Sequence, residues 1–167
     1  MRHFIRLITG IIVISTLLSC TTTAPFEEEK KDAARSTSDV LFEAWRDDAI
    51  DNAAVAKLIR QADVMMKYKQ WDEAQGKLER TLRVSISYAP AWSRLSWLSL
   101  RAARHNKAIQ LAQRSNSYTS SVALQSLNWT FIRDANRLLG NTTEVDAANF
   151  KLRQLEDAGS SGRGDSW

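Results

Sequence analysis

The chain of 167 residues holds one cysteine, two prolines, six glycines and two histidines, and each shortage excludes something. With Cys20 alone, no intrachain disulfide can form even in an oxidising compartment. His105 is the only histidine beyond the amino-terminal segment, and the ligand spacings of zinc sites are absent. The glycines make neither a phosphate loop between a strand and a helix nor the pattern of a nucleophile elbow. No carboxylate stands in the apolar sequence context that a general acid needs. An enzyme is therefore not expected, nor is a metal or a cofactor. Long hydrophobic runs are missing too, since the apolar stretch from Leu7 to Leu18 is too short to cross a bilayer.

That stretch follows a basic start, Arg2, His3 and Arg6, and ends in Leu17-Leu18-Ser19-Cys20, which reads as a cleavage site after a removable targeting peptide. The alternative is an ordinary secretory signal with an incidental cysteine. Leu-Leu-Ser-Cys resembles the lipobox of bacterial lipoproteins, although Leu18 departs mildly from the small or β-branched residue usual there. The resemblance implies that residues 1–19 are removed and that Cys20 is acylated and becomes the first residue. Three acyl chains would anchor the protein firmly to a membrane. Thr21 stands where an aspartate would retain such a lipoprotein in the inner membrane, so the resemblance implies the outer membrane, periplasmic face, in a Gram-negative host. Cleavage would leave 148 residues (167 − 19), enough for one domain with a sizeable core. The net charge of +4 would fall to +2, because Arg2 and Arg6 depart and 21 basic residues face 19 acidic ones. Nucleic acid is not expected as a partner.

Residues 20–37 are rich in Thr, Glu, Lys and Ala, with little to bury, and read as a lipidated flexible tether. A short helix with Leu41, Ala44 and Trp45 on one side is expected next. Residues 159–167 read as a disordered tail. Between lies a helical domain, residues 38–158. Val55, Leu58, Ala62 and Met65 repeat at helical spacing, as do Trp71, Ala74, Leu78 and Leu82. Leu124, Leu127, Phe131, Ala135 and Leu138 form another stripe, and Val145, Ala148, Leu152 and Leu155 a last one after Gly140-Asn141 as a stop. No segment alternates long enough to demand a strand. The expected fold class is all α.

Leu58 and Trp92 are 34 apart, as are Ala62 and Ser96, and Ala74 and Ala108. With the junction Tyr88-Ala-Pro-Ala-Trp92, this spacing resembles the tetratricopeptide repeat, a helix–turn–helix unit with large and small residues at fixed places. The departures are Gln61 where leucine is expected, Met65 and Ser99 where tyrosine is usual, and His105 for the turn aromatic of the second unit. The resemblance implies two to three stacked hairpins in a short right-handed superhelix, with units at about 55–88 and 89–122 and a divergent one at 123–157.

Such stacking makes a concave groove without chemistry of its own. The family's groove positions fall on Ile59, Asp63, Met66, Ser93, Trp97, Leu100, Leu127 and Phe131. Beside them Arg60 and Arg94 are 34 apart, and so are Lys67 and Arg101, which suggests two basic pairs bordering Trp97 and Phe131. Two readings stay open. Arg60, Lys67, Arg94, Trp97, Arg101 and Phe131 take an acidic or carboxylate-bearing segment of an envelope protein. Or the basic residues decorate a solvated face and Trp97 packs on a neighbouring helix. The function expected from the architecture is a membrane-tethered adaptor for an envelope complex. The alternatives are a pilotin-like assembly factor for a secretin, or a regulator of peptidoglycan enzymes.

Overall fold

A computed structural model describes residues 41, 43–46 and 50–161. The lipobox-like site, Cys20, the segment read as a tether and residues 162–167 lie outside the described residues. Those described fold entirely as helix and turn: α1 Ala53–Lys67, α2 Trp71–Val84, α3 Ala89–Arg101, α4 His105–Asn116, α5 Val122–Leu139 and α6 Thr142–Ser161. Each helix packs against the next through a short turn, giving three hairpins. In addition α3 packs on α5, and Arg94 of α3 pairs with Asp63 of α1, so the first helices of successive hairpins are linked as an inner row.

Local chemistry sets the helix ends. The Asn52 Oδ1 accepts from the amides of Ala54 (2.9 Å) and Val55 (3.2 Å), capping α1. Pro90 stands in the first turn of α3, where its missing N–H costs nothing. Ser121 Oγ caps α5 by accepting from the Leu124 amide. Close approach of paired helices falls on small residues: Ala62, Ala74, Ser96, Ala108, Ala112, Ala135 and Ala148 are all fully buried. Ser96 keeps its hydroxyl satisfied by donating to the Ala108 carbonyl at 2.7 Å, across the second hairpin.

The 34-residue spacing extends to the backbone. In the first hairpin the Gln70 amide donates to the Met65 carbonyl and the Ala74 amide to Gln70; in the second, Arg104 donates to Ser99 and Ala108 to Arg104. Lys69 (φ 60°) and Ala103 (φ 55°) occupy the same left-handed position of the two turns. The third turn repeats the pattern with Asn141 donating to Asn136 and Val145 to Asn141, and its left-handed residue is Gly140 (φ 75°). Glycine alone adopts that conformation without strain, whereas a side chain costs about 1–2 kcal/mol there. Ala103→Gly and Lys69→Gly are therefore expected to stabilise the fold by about 0.5–1 kcal/mol each, after the added flexibility of the unfolded chain is subtracted. Gly140→Ala is expected to do the opposite. Urea midpoints of the three variants check this, and unchanged or lowered midpoints for the first two would refute it.

The third hairpin departs from the period. Its left-handed residue follows Ala103 by 37 positions, because α5 has 18 residues against 13 in α3. Leu124, Leu127, Phe131 and Ala135 are buried as the apolar stripe suggests, but Leu138 is 60% exposed. The last inward position of α5 goes to Asn136, whose Nδ2 donates to the Ile132 carbonyl and whose Oδ1 accepts from Asn141 Nδ2. In α1 the stripe likewise drifts from Met65, half-buried, to Met66, buried. At the far end α6 runs through Ser161, so Gly159 and Ser160 are helical rather than part of a tail. A helix already docked along α5 propagates through one glycine at a cost of about 1 kcal/mol. Among the described side chains of α6 only Ala148 is fully buried, and most of the others face solvent, as befits a helix at the end of the hairpin series.

Candidate functional site

Sequence periodicity does not anticipate where Trp45 goes. The described residues before α1 include a single turn, closed by the Trp45 amide donating to the Leu41 carbonyl at 3.1 Å. This strap crosses to α3, and the Trp45 indole is 1% exposed. Its Nε1 donates to Ser93 Oγ at 2.9 Å, giving a buried indole N–H the partner it needs. Its ring meets that of Trp97 edge-on, with centroids 6.1 Å apart and planes at 85°. The Arg94 guanidinium lies 5.0 Å from the Trp45 ring centroid.

Arg94 is itself 3% exposed and paired with α1. Its Nε and Nη2 donate to the two carboxylate oxygens of Asp63 at 2.8 and 3.0 Å, and its Nη1 donates to the Pro90 carbonyl. This forked pair joins α1 to α3 and consumes the donor geometry that would hold a ligand's carboxylate. A second aromatic–cation stack lies farther along α3. Arg101, exposed, sits 4.6 Å from the Trp71 ring centroid and 5.0 Å from that of Trp97, whose ring meets Trp71 at 5.6 Å. Contacts of this kind contribute about 0.5–2 kcal/mol each. Trp97 is thus the hub of both stacks.

Beyond Trp97 a groove of about 650 Å³ opens between the strap, α3 and α5. One wall is the strap, through Leu41 and Ala44. The floor is Trp97 and Leu100 of α3, and the far wall is Ala123, Leu127 and Phe131 of α5. Ser126 and Thr130 also line it, with Glu43 and Asp134 as its charged residues. From Ala123 to Asp134 the lined face of α5 runs about 16 Å. Asp134 is held by Arg133 at 3.0 Å and Arg137 at 3.5 Å, so the groove is apolar with neutralised charge at its edge.

The structure thus brings Arg94, Trp97 and Arg101 together, and puts Phe131 across the groove from Trp97. Arg60 and Lys67 do not join them. Arg60 lines a shallow crevice of α1 and α2 with Lys57 and Lys77, and the neighbouring crevice adds Arg80. None of these four cations makes an ion pair among the described residues. Lys67 is exposed in the last turn of α1. The repeat register sets Asp63 in the groove and Arg94 beside it, with no sign of the pair they form. The available signal was opposite charge at 31 residues, one helical turn short of the repeat, on the inner helices of adjacent hairpins.

His105, at the turn-aromatic position of the second unit, is half-buried as the first residue of α4, with its Nδ1 shielded. Among the described residues, no three His, Cys, Asp or Glu side chains gather as a metal site would require, and no helix is long and apolar enough to cross a membrane. No family model, curated protein or solved structure matches the chain.

Proposed function

We propose that this protein is a tetratricopeptide-like interaction module that holds a segment of a partner protein in its concave groove, with no chemistry of its own. The observation that carries this reading is the apolar groove between the strap, α3 and α5, of about 650 Å³. A lined face of about 16 Å accommodates roughly three turns of helix. Half-buried Leu41, Trp97 and Leu100 provide apolar contact area over the buried Leu127 and Phe131, and the Ser126 and Thr130 hydroxyls provide polar contacts at the edge. The repeated turn geometry at 34 residues supports the family resemblance, and the three hairpins support a short superhelix.

In the same reading Cys20 carries the acyl chains and tethers the module to the periplasmic face of the outer membrane. The partner is then an envelope protein, and confinement to one surface raises the effective concentration of the pair. The supporting features are the basic start, the short apolar stretch and the Leu-Leu-Ser-Cys site.

A photocrosslinking residue at Ser126 tests the groove against the same residue at exposed Val84 on α2. The expected result is one defined adduct from Ser126, absent from Val84 and abolished by Leu127→Asp in a chain that keeps its helicity. Adducts that form equally from both positions, or survive Leu127→Asp, refute the reading. Cys20→Ala separates tether from groove, because it should lose the adduct in cells and retain it with the purified partner.

A further inference from the structure

The strap has the form of a bound ligand. Its turn sets Leu41, Ala44 and Trp45 on one side, at the i, i+3 and i+4 positions of a helix. That side meets the protein: Leu41 and Ala44 line the groove and Trp45 is seated on Ser93. The other side carries Glu43 and Arg46, which pair with each other at 2.9 Å while remaining 64% and 62% exposed. The strap is therefore an amphipathic turn laid on the concave face, outside the three hairpins. Its seat asks for an aromatic ring with an N–H donor, supplied with an acceptor by Ser93, a cation by Arg94 and a ring edge by Trp97. The open groove continues from that seat along α5. Among the described residues, one trough is thus filled at one end by the chain itself and open at the other.

We propose that the strap is an intramolecular ligand, and that a partner's amphipathic helix, presenting a tryptophan at the Ser93 seat and small or aliphatic residues along α5, displaces it. This rests on the groove reading above and names the chemistry of its ligand. Six residues separate Arg46 from Ala53, so the strap competes at an effective concentration of about millimolar. A partner segment that fills only the seat loses to it. One that fills the seat and the open groove together wins. The strap therefore works as an affinity threshold, reducing apparent binding by the fraction of molecules whose seat is already taken.

The test uses the full chain in detergent and a fluorescent synthetic peptide of residues 38–50, read by anisotropy. The W45A chain is expected to bind this peptide at least ten-fold more tightly than the wild-type chain, whose own strap excludes it. The peptide carrying the same W45A change should bind neither chain. Equal affinity of both chains for the native peptide, or undiminished binding of the tryptophan-free peptide, overturns the proposal. Should W45A lose its helicity, W45F replaces it, keeping a ring in the seat without the N–H to Ser93. An affinity at least three-fold above wild type is then expected, and a wild-type value overturns it. Because the peptide is the chain's own, failed exchange beside an intact Ser126 adduct removes the strap's role and leaves the groove reading standing. Successful exchange beside a failed adduct does the reverse.

Discussion

Asp63→Ala is expected to destabilise the protein by about 3–5 kcal/mol, because it strands a buried guanidinium. Arg94 is 3% exposed and Asp63 27%, so the two partners are unequally shielded from water. Removing Asp63 leaves a full positive charge between α1 and α3 with, among the described residues, the Pro90 carbonyl and the Trp45 ring to meet it. Removing Arg94 leaves a carboxylate that solvent reaches by a small side-chain movement. Arg94→Met, which also keeps the apolar stem in place, is therefore expected to cost about 1–3 kcal/mol. Replacing both residues by apolar ones of similar volume should recover much of the loss, since a buried ion pair is often worth no more than the packing that replaces it. Urea unfolding of the three variants decides the matter. Equal costs for the two single changes, or a larger cost for Arg94→Met, would show that the pair is effectively solvated.

Leu78→Ala is expected to be similarly damaging, in the upper part of the range of about 2–5 kcal/mol seen for such truncations. Leu78 is fully buried in α2, one turn after Ala74, and shares the core with Ala62 of α1. Those alanines already bring the helices to close approach, so little movement is left to fill the void. Leu82, 7% exposed one turn later, lies nearer the surface, and its truncation should cost less. If Leu78→Ala and Leu82→Ala prove equal in thermal or urea unfolding, the first hairpin is more compliant than its packing indicates.

The features legible in the sequence are those that depend on local spacing. Helical stripes, Pro90 at the start of α3 and Gly140 at the end of α5 follow from 3.6-residue periodicity and backbone chemistry. So does the 34-residue rhythm, whose turns share the same backbone hydrogen bonds. The longer α5 was harder to read, because a leucine at 138 fits the stripe equally well whether or not the helix has passed its neighbour. The site was legible in part. Trp97 and Phe131 fell on groove positions from the repeat register alone. The role of Arg94 was not readable from its own helix, since its partner stands on α1 and its ring contact comes from outside the repeats. Trp45 could be assigned to the apolar side of a turn, but nothing local says which surface that side will cover. Arg60 and Lys67 match the spacing of Arg94 and Arg101 without sharing their surroundings, because a repeat period fixes a register and not a neighbour.

The extra length of α5 also shapes how a visitor approaches. With 18 residues against 13, α5 is about 7.5 Å longer than α3, and Leu138 and Leu139 in its last turn are uncovered. The trough is therefore a berth whose α5 wall outruns its α3 floor. A rod moored there rests on both floor and wall near Trp97 but on the wall alone at the ledge, so a bulky body attached to it has room at that end.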